Sequence, residues 1–321
     1  MTFLVALMLA PALVVAEISP AKLLAAGRVD DAIVTLQNRI TAAPNDAESQ
    51  NLLCRAYYSL TNWDASITAC QKAVALEPGN SQYHLWLGRA YGEKADHSSF
   101  FFATGLAKKV RSEFETAVRL NPNNVEARAD LADFYVQAPS ILGGGTDKAA
   151  MQAQQLAFLD PAETHLVRAQ IAEKDNDLAV AEGEFRAAIQ ASGGKAGTWM
   201  ELARFYRRTN RLDPMQVSIQ QASSAPENQH VLLPAAEVLI QTQRNLTAAA
   251  EMLHRYLASE MVEDAPAFKA HYLLGNLLEQ QGDTQAAVQE YRNALSLARD
   301  FTLAQSALKR LDRRADARGS R

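Results

Sequence analysis

The sequence predicts an all-α chain of about eight stacked helical hairpins followed by one terminal helix. Three observations carry that expectation. The composition is rich in Ala, Leu, Gln, Glu and Arg, with only 15 Gly and 11 Pro in 321 residues, which favours helix over most of the length. Apolar helical segments close on prolines at a fixed interval, Pro44 and Pro78 lying 34 residues apart. Within each interval small and aromatic residues return in the same order. The chain also exceeds the roughly 250–300 residues at which one core stops growing, so it is either two domains or an elongated array.

The elements follow in order. Met1 to Ala16 contains no charged side chain and is mostly Leu, Val, Ala, Met and Phe. It is too short for a membrane span of about 20 apolar residues and fits the core of an export signal; a buried first helix is the alternative. Ser19-Pro20 reads as a helix cap and first turn. Eight units then span 19–46, 47–80, 81–124, 125–161, 162–195, 196–229, 230–266 and 267–300, with a capping helix at 301–314 and a frayed tail at 315–321. The second unit has Leu53-Cys54-x-x-Tyr57 and closes at Pro78; the third has Trp86-Leu87-Gly88-x-x-Tyr91 and closes at Pro122. Leu131-Ala132-x-x-Tyr135 with Pro161, Trp199-x-x-Leu202-Ala203-x-x-Tyr206, and Leu274-Gly275-x-x-Leu278 continue the series. Small residues there let a paired helix approach, and the tyrosine three positions later fills the gap to the next hairpin. The last helix sets Leu303, Ala307, Leu308 and Leu311 on one side, the pattern of a polar-backed cap.

At these residues the chain resembles the tetratricopeptide repeat (TPR) family, whose unit runs W-x2-L-G-x2-Y, A-x3-F and P over about 34 residues. The resemblance implies a right-handed superhelical solenoid whose first helices line a concave groove. On that basis Asn51, Arg55, Tyr58, Arg89, Arg204, Arg207, Arg208, Lys269, Tyr272 and Asn276 point into the groove. Such a lining suits an extended peptide with acidic groups, because guanidinium forks match carboxylates. It only partly matches the carboxylate clamp of chaperone-binding relatives, and a simply solvated face is the other reading.

Two places break the period. Pro78 and Pro122 are 44 apart, with the surplus around Asp96 to Phe102; Pro122 and Pro161 are 39 apart, with the surplus from Ala138 to Asp147. Both insertions join the helices of one hairpin, so stacking brings them to the same edge. Phe100, Phe101 and Phe102 either fold against the array or form an apolar contact for a partner. Gly143, Gly144 and Gly145 make either a flexible turn in which Thr146 or Asp147 caps the next helix, or a backbone nest for an anion. No Gly-Lys-Ser/Thr follows, so this is no nucleotide phosphate loop.

The two cysteines, Cys54 and Cys70, fall on the two helices of one hairpin; a disulfide in an exported protein and a pair of buried thiols are both open. None of the six histidines has metal-ligand spacing, and His84, His165 and His271 fall at packing positions near the starts of first helices. No nucleophile stands beside a base, and the carboxylates read as scattered over solvated faces. The net charge of −4 gives no basic face for nucleic acid. The expectation is a non-catalytic scaffold without cofactor or metal, exported to the periplasm or medium (otherwise cytoplasmic), that holds a protein or peptide partner. A membrane-associated assembly factor, or an accessory subunit of an enzyme, is the alternative. Membrane contact would require an uncut N-terminal segment or the Phe100–Phe102 edge.

Overall fold

The computed structural model describes residues 18–319; among them are 17 α-helices and no strand. They pair in chain order: α1 (Pro20–Ala25) with α2 (Val29–Ala42), α3 (Ala47–Ser59) with α4 (Trp63–Leu76), and α5 (Ser81–Asp96) with α6 (Phe100–Leu120). Next come α7 (Val125–Gln137) with α8 (Thr146–Leu156), and α9 (Pro161–Lys174) with α10 (Leu178–Ala191). The series ends with α11 (Ala196–Arg208) and α12 (Leu212–Ser224), α13 (Gln229–Gln241) and α14 (Leu246–Leu257), α15 (Ala267–Gln280) and α16 (Thr284–Leu297), then α17 (Thr302–Gly319). The expected all-α repeat architecture is what the chain adopts. The apolar segment Met1 to Ala16 lies outside the described residues.

Local chemistry sets the helix ends. Asp46, Asn62, Asn124, Asp160, Asp177 and Asp283 each accept a backbone N–H from the first turn of the helix that follows. Each such cap stabilises its helix by about 1 kcal/mol. Six of the eight hairpins make a short turn through positive φ, at Gly27, Thr61, Asn176, Asn210, Gln243 (with Asn245) or Gly282. The third and fourth hairpins, which carry the insertions, do not share that turn.

Packing follows the repeat. A Cβ at Gly88 would overlap the Phe114 ring, and one at Gly275 the Tyr291 ring, so these positions admit no larger side chain while the helices stay in place. The slot tyrosines reach back to the preceding hairpin: Tyr91 Oη accepts from Gln71 at 2.8 Å, while Tyr135 and Tyr206 donate to Glu115 and Glu182. His84, His165 and His271 each meet a glutamate of their own hairpin (Glu113, Glu184, Glu290) at 2.6 Å. Cys54 and Cys70 are joined by a disulfide between α3 and α4, fully buried, with Cα atoms 5.1 Å apart.

The array does not end in two free faces. Leu23 and Leu24 of α1 share one buried cluster with Phe268, Ala298, Phe301 and Ala304 from the far end of the chain. A Cβ at Gly27 would lie 2.8 Å from the Ala267 nitrogen. The Arg299 N–H donates to the Asp30 carboxylate at 2.8 Å, and Arg55 of α3 holds Glu263 through two bonds of 2.7 and 2.5 Å. The stack therefore closes on itself, first hairpin against last. Two sequence expectations change as a result. The segment expected only to cap the array also joins its two ends, since Phe301 and Ala304 pack toward the first hairpin while Ala307 and Leu311 pack with Ala287 and Tyr291. And α17 runs on to Gly319, past residue 314 where a frayed tail was expected, with Arg310 and Arg314 both bonded to Glu279.

Candidate functional site

The two insertions meet and build a cleft. The first lengthens α5 and α6 to 16 and 21 residues. The second becomes a 3-10 turn at Ser140–Leu142 and a glycine loop. Arg111 on α6 donates to the Leu142 carbonyl at 3.3 Å, tying the loop to the long hairpin. Between them and α7 lies a cavity of about 720 Å³. Its α6 wall is apolar (Phe100, Ala103, Ala107, Val110, Phe114), and Phe134, Pro139 and Leu142 face it. Its floor is polar: Tyr58, Arg89, Glu93, Asp130, Asp133 and Gln137.

The glycine loop is neither flexible cap nor anion nest. Gly143, Gly144 and Gly145 donate their N–H groups to the carbonyls of Ser140, Pro139 and Tyr135, leaving none aimed outward. Gly145 itself takes the N-cap position of α8, so neither Thr146 nor Asp147 caps it. Gly143 sits at φ +96, and a Cβ at Gly144 would collide with the Ala138 carbonyl oxygen, so both positions require glycine. The phenylalanines do not fold against the array: Phe100, Phe101 and Phe102 are 77%, 86% and 74% exposed at the hairpin tip.

The electrostatics of the inner face differ from the sequence expectation. Arg89 donates to Asp130 at 2.6 Å and to Glu126 at 3.2 Å, with its guanidinium over the Trp86 ring. Arg55 lies over the same ring and binds Glu263. Arg204 pairs with Glu201, Arg208 with Glu173, Lys269 with Glu237, and Arg207 donates to the Gln241 amide. Apart from Arg207, the cations expected to receive an acidic peptide are thus paired with carboxylates already, several of them across seams between neighbouring hairpins. Of the remaining groove residues, Tyr58 donates to Glu93, Tyr272 packs against Phe301, and Asn276 accepts from Tyr291. Asn51 is buried, its Nδ2 without a partner.

Sequence reading passed over the inner-face carboxylates. Loss of surrounding water raises the Asp130 carboxyl despite Arg89, and raises Asp133 with help from Asp130 and Glu201. Glu163 on α9 is pushed up to about 7 by the same desolvation, then by Asp160, Glu201 and Asp130. Asp130, Glu163 and Glu201 sit on successive first helices, a repeat-spaced signal that the sequence did contain. No group of three or more possible metal ligands occurs among the described residues.

Two segments, residues 23–90 and 241–300, match models of the tetratricopeptide repeat. The chain carries tetratricopeptide repeats in both segments. No curated protein matches it in sequence. Among solved structures, yeast Tom70 is similar over 90% of this chain and 59% of its own, at 16% identity and a TM-score of 0.53. A thermophilic TPR protein of Thermus thermophilus is similar over 58% of this chain and 96% of its own, at 20% identity and a TM-score of 0.48. At these identities the Tom70 likeness is one of fold. TPR arrays point to a protein-interaction scaffold and are generally not catalytic.

Proposed function

We propose that this TPR protein is a non-catalytic scaffold that holds a segment of a protein partner on its inner face, anchored in the insertion cleft. The observation that carries this is the cleft itself: where the two insertions break the repeat, an apolar wall faces polar groups across about 720 Å³. A photo-crosslinking residue at Ala107, inside the cleft, should capture one partner in native extract; the same residue at exposed Val34 on α2 should not. Equal capture at both sites, or capture at Val34 alone, overturns the assignment.

The apolar run Met1 to Ala16 and the Cys54–Cys70 disulfide support an exported protein, since such bonds persist in oxidising compartments. The N-terminus of the protein from its native source, read by mass spectrometry, tests this: a start near Glu17 supports export and a start at Met1 removes it. A membrane-associated assembly factor is the second reading, favoured only by the exposed Phe100–Phe102 tip. Flotation with phosphatidylcholine vesicles that is lost in Phe101→Asp supports it, and no flotation rejects it.

A further inference from the structure

The cleft, taken as the anchor point, also has a chemistry that selects its occupant. The geometry points to a basic segment: an apolar or aromatic side chain seated against α6, flanked by lysine or arginine that meets the carboxylates opposite. This rests on the cleft being the binding site.

The shape comes first. The apolar stripe Phe100, Ala103 and Ala107 occupies the first two turns of α6, beyond the part that buries Val110 and Phe114 in the core. A stripe of small residues between two aromatic ends, in a cleft of about 720 Å³, admits a bulky apolar side chain with flanking chain beside it. The far end is closed by Leu142 and the hydrogen-bonded glycine loop. An occupant therefore enters from the inner face, where a chain can continue along α9 and α11.

Charge decides its sign. Four carboxylates, Glu93, Asp96, Asp130 and Asp133, border the cleft against a single cation, Arg89. Arg89 is already bonded to Asp130 and Glu126. The other nearby cations are already engaged: Lys94 pairs with Asp64, Lys148 donates to the Gly143 carbonyl, Arg111 to the Leu142 carbonyl, and Arg208 pairs with Glu173. Asp133 has no cation within ion-pair distance and also borders the adjoining depression over α9 and α11. That depression adds Glu173 and Glu201, paired with Arg208 and Arg204, together with Lys174, and the buried Gln170 Oε1 there has no hydrogen-bond partner. An acceptor without a donor, beside an Asp133 that no cation pairs, suits a ligand that brings N–H groups. An acidic segment would face like charge, and a neutral apolar one would cover the carboxylates without replacing their water.

The test uses the folded full chain and short fluorescent peptides with a Leu-Phe core flanked by lysines, by glutamates or by serines, read by anisotropy. The lysine-flanked peptide should bind about tenfold or more tightly than the serine-flanked one, with affinity falling as salt rises. Asp133→Asn should weaken it several-fold, and Ala107→Trp, which sets an indole over the apolar wall of α6, should abolish binding; thermal melts of both variants verify that they fold. Glutamate- or serine-flanked peptides binding as tightly as the lysine-flanked one, yet blocked by Ala107→Trp, would overturn the charge inference and leave the cleft standing. Binding by no peptide, or binding that Ala107→Trp does not affect, would overturn the cleft assignment as well.

Discussion

Closure of the array gives the sharpest quantitative test, through Arg55 and Glu263. The two residues are 208 positions apart, on the second hairpin and in the segment just before the eighth. In an open stack five hairpins would stand between them and their interaction energy would be zero. In the closed stack the guanidinium donates from Nε and Nη2 to both carboxylate oxygens, with side chains 28% and 18% exposed. An exposed ion pair contributes about 0–1 kcal/mol, while a bidentate, partly desolvated one lies above that range, so a coupling of about 1–2 kcal/mol is expected. The measurement is a double-mutant cycle with Arg55→Gln, Glu263→Gln and the double variant, followed by urea unfolding at low and at high salt. The coupling should fall with salt, because neither partner is fully buried. A coupling indistinguishable from zero at low salt would refute closure, whatever the single variants do. Each single variant also changes Trp86 stacking or leaves a partner unpaired, and only the non-additive part isolates the pair.

Further outcomes follow from individual side chains. Glu163, held up to about 7 against an ordinary 4.5, burdens the folded state where it is ionised. Its contribution to stability therefore falls as pH rises from about 4.5 to 7, and Glu163→Gln should stabilise by about 1–2 kcal/mol at pH 8 but not at pH 4. Equal urea midpoints for variant and parent at pH 8 would contradict that. Replacing Cys54 and Cys70 by alanine should cost about 3 kcal/mol by the loop-closure relation for residues 16 apart, read as a lowered melting temperature. Gly88→Ala should destabilise by about 1–3 kcal/mol because the new methyl meets Phe114. Gly183→Ala, on α10 where a Cβ meets nothing within 4 Å, should stabilise by about 0.5–1 kcal/mol, and calorimetry separates the two signs.

What the sequence made legible is what repeats. Caps such as Asp46 and Asp160, slots such as Gly88 and Gly275, and the tyrosines that follow them recur at fixed spacing, and each acts over one helical turn or one hairpin. Closure left no such mark. It depends on the rotation accumulated over seven hairpin-to-hairpin steps, and its contacts, such as Asp30 with Arg299, join residues with no periodic relation. The groove arginines failed for a related reason. Helical periodicity assigns Arg89 to the inner face, but the carboxylate that neutralises it is Asp130 on the next first helix, and only the packed structure puts the two together.

The breaks in the period explain why a site exists at all on a fold built to fill its own gaps. Regular hairpins of matched length cover each other, as α3 and α4 do with 13 and 14 residues. Here α6 has 21 residues while α8 of the following hairpin has 11, so the first turns of α6 run past the second helix of the next hairpin. Left alone, that apolar stripe would be open surface. The second insertion converts it into a cleft, because Pro139 and Leu142 turn back onto α6 and Arg111 fixes the loop there. Neither insertion makes the cavity by itself: a normal α7–α8 turn would leave the stripe unwalled, and a normal α6 would leave the loop nothing to face. The two departures from the repeat therefore act as one structural unit. Trimming either to the regular length should remove partner capture at position 107 while the stacked hairpins remain folded, as circular dichroism would verify; undiminished capture would show that the cleft is incidental to binding.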